Sequence, residues 1–124
     1  MSGNNIFLDT NIILYLLNGD DTLAEIIHRK QVFISFISEI ELLSFKETTP
    51  KERLAIKKFI DDCIIIDINE KIKELSIECR INNSIKLPDA IIASTATYIS
   101  APLLSADKNF RKIKDLSLIL YEPS

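Results

Sequence analysis

Short, continuously apolar runs alternate with segments of helical periodicity along almost the whole chain. The runs lie at 5–8, 31–36, 63–68, 102–105 and 116–120, and they lack the polar alternation of a half-exposed strand. Such runs are typical of strands buried on both faces, and the helical segments between them supply the crossovers that parallel pairing requires. The sequence therefore predicts an α/β fold with a central parallel sheet of about five strands, covered by helices on both faces in three layers.

Helical spacing and helix-start signals mark the segments between the apolar runs. The predicted helices lie after Asp9-Thr10-Asn11, after Asp20-Asp21-Thr22, at 38–45, from Pro50 through Ile60, at 70–82 and from Pro88 to about Ser100. The segment between the last two strands is polar and contains Phe110 and Ile113.

Length and composition set further bounds. The chain has 124 residues, of which 47% are hydrophobic, so we expect one domain spanning 1–124. No apolar leader precedes Asp9, and the run from Ile12 to Leu17 is too short to cross a bilayer, which predicts a soluble cytoplasmic protein without a membrane partner. Cys63 and Cys79 do not form a CxxC motif and fit reduced, buried thiols.

Four carboxylates stand where a predicted strand has just ended or a predicted helix begins: Asp9, Glu41, Asp89 and Asp107. Each has a local explanation. Asp9 can cap a helix, Asp89 follows Pro88 in a first helical turn, and Asp107 can satisfy the amides of a turn. Glu41 fits a capping box that begins at Ser38, since the spacing is the S/T-x-x-E of that motif.

Taken together, the four acids predict a pocket for a divalent cation. They lie far apart in the chain, and like charges gathered by folding would repel strongly without a cation. No cluster of His or Cys accompanies them, so hard oxygen ligands for Mg²⁺ or Mn²⁺ are indicated and zinc is disfavoured. A magnesium-dependent hydrolase is the leading hypothesis.

Residues near Asp107 add possible support and substrate contacts. If strands one and four are neighbours where the sheet order reverses, Asp9 and Asp107 face one crevice, and Ser105 can hydrogen-bond a carboxylate there. Lys108 and Arg111 begin a basic cluster just after Asp107 and are predicted to contact phosphates. The formal net charge is −3, so no global attraction to nucleic acid is expected beyond this local cluster.

Four stretches resemble the PIN domain, and within it the VapC-type toxin ribonucleases of toxin–antitoxin pairs. They are Phe7-Leu8-Asp9-Thr10-Asn11, Ile37-Ser38-Glu39-Ile40-Glu41-Leu42, Leu87-Pro88-Asp89-Ala90-Ile91-Ile92-Ala93 and Leu104-Ser105-Ala106-Asp107-Lys108-Asn109-Phe110. The chain departs from the usual pattern in lacking a Gly shortly after Glu41 and in having Ser105 where Thr is more usual.

That resemblance implies a strand order of 3-2-1-4-5 and a magnesium- or manganese-dependent endoribonuclease. It implies metal binding and catalysis by Asp9, Glu41, Asp89 and Asp107, with Asn11 and Ser105 in support. It also implies an RNA substrate, a cognate antitoxin as partner and a homodimer. Attack by water on the phosphodiester would leave a 5′-phosphate.

Other classes also place acids at strand ends. A haloacid dehalogenase-type phosphatase has a second Asp two residues after the first, where this chain has Asn11. A receiver-like domain begins with an acidic pair and would be labelled by acetyl phosphate. A catalytically inactive PIN-like module that binds RNA or protein is the main alternative to the enzyme.

Overall fold

The computed structural model describes residues 3–123. Five strands alternate with six helices and one short 3-10 helix. In chain order the elements are β1 (Asn5–Leu8), α1 (Thr10–Leu17), α2 (Asp21–Ile27), β2 (Gln31–Ser35), α3 (Phe36–Leu43), α4 (Pro50–Asp61), β3 (Ile64–Ile66), α5 (Glu70–Asn82), α6 (Leu87–Tyr98), β4 (Leu103–Ser105), the 3-10 helix (Lys108–Lys112) and β5 (Leu118–Leu120).

The strands form one sheet in the order β3-β2-β1-β4-β5, and every neighbouring pair is parallel. In the central strand β1, Phe7 pairs with Phe33 of β2 on one side and with Leu103 of β4 on the other. The predicted α/β class, five-stranded parallel sheet and strand order are confirmed.

Successive residues of β1 enter opposite cores. Ile6 and Leu8 pack with α1, α2, α3 and α4 on one face, whereas Phe7 packs with α6 on the other. All three side chains are at most 1% exposed, which explains why the strand reads as a continuous apolar run. The small residues Ala93 and Ala96 of α6 belong to the same cluster as Phe7, so this helix packs closely on the sheet.

The start of α3 differs from the prediction. The helix begins at Phe36, and Ser35 is its N-cap, accepting a hydrogen bond from the amide of Ile37. Ser38 is therefore inside the helix, and the capping box predicted for Ser38 and Glu41 is wrong. The helix ends at Ser44 with a φ of −103°, so no left-handed residue is needed and the missing glycine has no structural cost there.

The other differences are in element bounds and in one missed element. Strands β3 and β5 are shorter than predicted, and α6 begins at Leu87 instead of Pro88. Within the predicted polar stretch, the 3-10 helix buries Phe110 to 1% exposure. Among the helices within 3–123, none combines the length and apolar character needed to cross a bilayer.

Candidate active site

The sheet order reverses between β1 and β4, and the candidate site lies at that point. From β1 the chain passes through β2 to β3 on one side, whereas β4 and β5 lie on the other side. Asp9 directly follows β1, and Asp107 follows β4 by two residues. In open α/β sheets, ligands bind in the crevice at the carboxyl ends of strands flanking such a reversal.

Asp9 is buried, with 6% of its surface exposed, and both of its carboxylate oxygens are used. One accepts from the amide of Thr10 at 2.9 Å, which makes Asp9 the N-cap of α1, and the other accepts from the hydroxyl of Ser105 at 2.7 Å. Burial raises the pKa of Asp9 to about 6; the two hydrogen bonds oppose that rise, and nearby negative charges add to it.

Ser105 links the two strand ends. Its hydroxyl donates to Asp9 and accepts from the amide of Asp107 at 3.0 Å. The side chain of Asn11 accepts from the amide of Ala106 at 3.4 Å, so the first turn of α1 also contacts this loop. Asp107 in turn caps the 3-10 helix by accepting from the amide of Asn109 at 2.9 Å. The capping explanations for Asp9 and Asp107 therefore hold, and they coexist with a shared location.

Glu41 reaches the same region through a chain of hydroxyls. The hydroxyl of Thr10 donates to Glu41 at 2.7 Å and lies 2.8 Å from the hydroxyl of Ser38. Because the Thr10 hydroxyl has one proton and gives it to Glu41, the Ser38 hydroxyl must donate to Thr10. Glu41 is otherwise solvent-exposed. This chain orients its carboxylate toward the start of α1.

Asp89 enters from the first turn of α6 and is half-buried. Burial raises its pKa above the ordinary value, and the negative charges of Asp107 and Glu41 act in the same direction. The positive charge of Lys86, the N-cap residue of α6, opposes them. The side chain of Lys86 makes no capping hydrogen bond, so no N-cap side chain accepts from the free amides at the start of α6.

We call Asp9, Glu41, Asp89 and Asp107 the acidic site. They are close enough for their charges to interact, yet none takes part in a salt bridge with a described residue. Over residues 3–123, no three His, Cys, Asp or Glu side chains converge tightly enough to hold a metal ion. The all-oxygen donor set fits a hard divalent cation, but the carboxylates must draw closer before they share one.

The predicted basic contacts lie on the 3-10 helix beside the acidic site. Lys108 and Arg111 are both exposed, and the Lys108 ammonium lies 4.0 Å from the carboxylate of Glu122. An exposed pair of this kind is weak, about 0–1 kcal/mol, so it leaves Lys108 available to a stronger anion. His28 is exposed at the end of α2 and contributes no hydrogen bond to the acidic site.

Sequence reasoning missed Thr10, Ser38 and Lys86. Ser38 was predicted to be a capping residue and Thr10 was given no role in the site, whereas both belong to the hydroxyl chain that reaches Glu41. Their contacts join residues 28 and 31 positions apart, which no local pattern encodes. The only local signal is the position of Thr10 between two polar residues directly after a buried strand.

A family model for the PIN domain matches residues 6–116. The chain belongs to the PIN domain family. Within that family it is similar to VapC proteins: Ribonuclease VapC2 of Methanocaldococcus jannaschii is 31% identical over an alignment that covers 96% of this chain and 95% of that protein. The resemblance read from the four motif stretches is confirmed.

Solved structures agree with this placement. A chain of a toxin–antitoxin complex from Klebsiella pneumoniae superposes with a TM-score of 0.82 at 27% identity, covering 95% of this chain and 99% of that one. VapBC-1 from nontypeable Haemophilus influenzae gives 0.82 at 25% identity, covering 94% and 97%. VapBC2 from Rickettsia felis, crystallised with a promoter DNA fragment, gives 0.85 at 24% identity over 95% and 99%, a likeness of fold.

Proposed function

We propose that this protein is a magnesium-dependent endoribonuclease that hydrolyses RNA phosphodiester bonds and is the toxin of a VapBC-type pair. The observation that carries the proposal is the gathering of four carboxylates from four separate elements at the point where the strand order reverses, with no salt bridge among the described residues to neutralise them. The similarity to a protein named Ribonuclease VapC2 supports RNA as the substrate.

The residues that would hold Mg²⁺ or Mn²⁺ are Asp9, Glu41, Asp89 and Asp107. A bound ion supplies Lewis-acid polarisation of the phosphate and a lowered pKa for attacking water. Two of these carboxylates are oriented by hydroxyl groups: Ser105 donates to Asp9, and Thr10 donates to Glu41. Such supporting contacts commonly change metal affinity or activity by roughly 10- to 100-fold.

Lys108 and Arg111 would bind phosphates next to the scissile bond. Both are exposed on the 3-10 helix that Asp107 caps, so a backbone bound there passes directly beside the acidic site. Contacts of this kind place the strand without reading its sequence. Water then adds to phosphorus and the bond to the 3′ oxygen breaks, which leaves a 5′-phosphate on one product and a 3′-hydroxyl on the other.

The test is cleavage of total RNA by wild type, Asp9→Asn and Asp107→Asn, each with Mg²⁺ and with EDTA, followed by analysis of the product ends. Asp62→Asn, an exposed residue at the end of α4, is the matched control. We expect cleavage only by wild type and control, only with Mg²⁺, and with 5′-phosphate ends. Equal cleavage under all conditions would rule the proposal out.

One observation favours the alternative of an inactive PIN-like binding module. The acids within the described residues do not converge to metal-binding distance. An inactive module would bind RNA with the same affinity in EDTA and in Mg²⁺ and would show no cleavage. The nuclease would require the metal for cleavage, so one pair of measurements separates the two.

We also propose a VapB-type antitoxin as partner, as in the complexes to which the chain is similar. An apolar groove between α3 and α4 begins beside Glu41 and exposes Leu43 at 50% and Leu54 at 70%. An apolar antitoxin segment in this groove could place a basic side chain over the acidic site. A neutralising antitoxin should lose affinity for Leu54→Glu and keep it for Lys51→Glu, an exposed change outside the groove.

A homodimer is the third element of the proposal. Ile77 and Ile81 of α5 are 61% and 76% exposed, and they line one surface with Leu87 of α6. In an antiparallel pair of α5 helices centred on Ile77, Glu74 and Arg80 lie three residues on either side and would pair across the two-fold axis. Glu74→Arg should weaken the dimer in analytical ultracentrifugation, and adding Arg80→Glu should restore it; a monomeric wild type would contradict this.

A further inference from the structure

A concave surface lies between α5, α6 and the segment that follows the 3-10 helix. We call it the side cleft. Its volume is about 440 Å³, within the range of roughly 300–1,000 Å³ that holds small ligands. None of the residues assigned above to metal or phosphate binding lines it.

Ser94 gives the side cleft an unused hydrogen-bonding group. The residue is 4% exposed and lines the cleft, and its hydroxyl makes no hydrogen bond with any residue of the range 3–123. By contrast, Thr95 and Thr97 on the same helix donate back to helix carbonyls at 2.6 and 3.0 Å. Because no fully buried side-chain oxygen or nitrogen of the described residues lacks a partner, this hydroxyl must reach the water in the cleft, where a ligand can bond it.

The lining combines apolar and polar side chains. Leu75 and Ile113 supply apolar surface, while Glu78 and Asn82 supply an acceptor carboxylate and an amide that both donates and accepts. Two lysines and two acids line the cleft, so its formal charge cancels and an anion gains no advantage there. This combination suits a neutral planar ring with hydrogen-bonding edges, which describes a nucleobase.

The polar groups of the side cleft also limit which nucleobases it can bind. Carboxylates accept from the exocyclic amino group of cytosine, and Asn pairs with the amino and ring nitrogens of adenine. Uracil has no amino group to offer Glu78. Sequence-specific RNA recognition usually reads unpaired bases in this way, through their polar edges.

The side cleft lies within reach of a strand bound at the acidic site. Asp89 and Ser94 lie five residues apart on α6, which is about 7.5 Å along the axis and about 140° around it, so an RNA strand must pass around the helix to reach from one to the other. The ammonium of Lys112 donates to the carbonyl of Ser84 at 2.7 Å, which ties the 3-10 helix to the loop before α6. Lys108 and Arg111 on that 3-10 helix are therefore placed to guide a backbone between the two sites.

We propose that the side cleft receives one unpaired adenine or cytosine near the scissile phosphate and so determines where the RNA is cut. This rests on the proposed ribonuclease function. The base would meet Glu78, Asn82 and the Ser94 hydroxyl, while the flanking phosphates follow the 3-10 helix.

If the protein cleaves RNA, mapping of its cleavage sites tests the inference. Wild type should cut with a preference for adenine or cytosine at one fixed position. Glu78→Ala and Ser94→Ala should lose that preference, with a roughly tenfold fall in kcat/KM at preferred sites and little change elsewhere. Glu70→Ala, an exposed change on the same helix outside the cleft, is the matched control. Unchanged preference in both cleft variants would overturn the inference and leave the ribonuclease function intact.

A binding measurement tests it without any cleavage. Adenosine, cytidine and uridine are titrated into Asp9→Asn protein while the backbone amide signals of Asn82 and Ser94 are followed by NMR. We expect shifts with adenosine or cytidine that are much smaller with uridine. Equal shifts with all three nucleosides, or shifts only outside the cleft, would overturn the inference. If the expected shifts occur and wild type does not cut RNA, base binding by the cleft stands, and the ribonuclease function and the choice of cleavage site fail.

Discussion

The hydroxyl of Ser105 donates to the carboxylate of Asp9 at 2.7 Å across 96 residues of sequence, and it accepts from the amide of Asp107 at 3.0 Å. One side chain thus holds the ends of β1 and β4 together at the point where the strand order reverses. The two carboxylates most distant in sequence share a single positioning residue.

Ser105→Ala should lower kcat by roughly tenfold, since a hydrogen bond to a charged group contributes about 1.5–3 kcal/mol. Ser105→Thr retains the hydroxyl and should keep most of the activity. The loss of this hydrogen bond also removes one of the effects that lower the pKa of Asp9, so the acid limb of the pH–rate profile should move to higher pH. The measurement is kcat against pH for the three proteins, and an alanine variant with the wild-type profile would exclude the positioning role.

Asp9→Asn should make the metal-free protein more stable near pH 7. Burial raises the pKa of Asp9 from 3.8 to about 6, and that difference of about two pH units corresponds to an upper limit of about 3 kcal/mol. Imperfect hydrogen bonding by Asn reduces the expected gain to about 1–2 kcal/mol. Urea unfolding at pH 7 measures the change in the free energy of unfolding. A destabilised variant would contradict the conclusion that burial of the charged Asp9 carboxylate lowers stability.

The same carboxylate gives the stability a definite pH dependence. With its pKa higher in the folded than in the unfolded chain, Asp9 binds more protons when folded between about pH 4 and 6, so stability should fall as pH rises through that window. Burial raises the pKa of Asp89 in the same direction. The slope should flatten in Asp9→Asn, and an identical slope in both proteins would show that Asp9 does not cause it.

Thr10→Val should weaken Mg²⁺ binding by roughly tenfold, because Glu41 loses its donor and Ser38 loses its acceptor. Thr10→Ser keeps the hydroxyl and should bind nearly as wild type does. Calorimetric titration with Mg²⁺ compares the three. Equal affinities would mean that the hydroxyl chain to Glu41 has no influence on the metal.

Lys108→Ala and Arg111→Ala should each raise KM for all RNA substrates alike and leave kcat almost unchanged. Each lost phosphate contact should also reduce the slope of log affinity against log salt by about 0.7, the value for a single strand. Lys51→Ala, an exposed lysine of α4, is the control. A change in cleavage-site sequence without a change in salt slope would show that these residues read bases instead of phosphates.

The alternation of apolar runs and helical periods predicted the fold well, because parallel strands that are buried on both faces have apolar residues at successive positions. The start of α3 was misplaced because Phe36 and Ile37 continue the strand pattern in composition, while the capping by Ser35 depends on backbone geometry. The 3-10 helix was missed because five residues are too few to show a period.

Asp9, Asp89 and Asp107 were identifiable because each stands at a strand end or a helix start. Glu41 was identified from a predicted helix start at Ser38, whereas it lies near the C-terminal end of α3. The contacts that organise the four acids were not identifiable, since the hydroxyl chain from Ser38 through Thr10 to Glu41 exists only after α1 and α3 pack together. The hydrogen bond between Lys112 and Ser84 is equally non-local, and it joins the 3-10 helix to the loop before α6.

Binding of one or more divalent cations by the four carboxylates can be measured by calorimetric titration of metal-free protein with Mg²⁺. Wild type and Asp62→Asn should show saturable binding, and Asp9→Asn and Asp107→Asn should show at least tenfold weaker binding. Absence of binding in wild type, or equal binding in all four proteins, would contradict metal binding by these carboxylates.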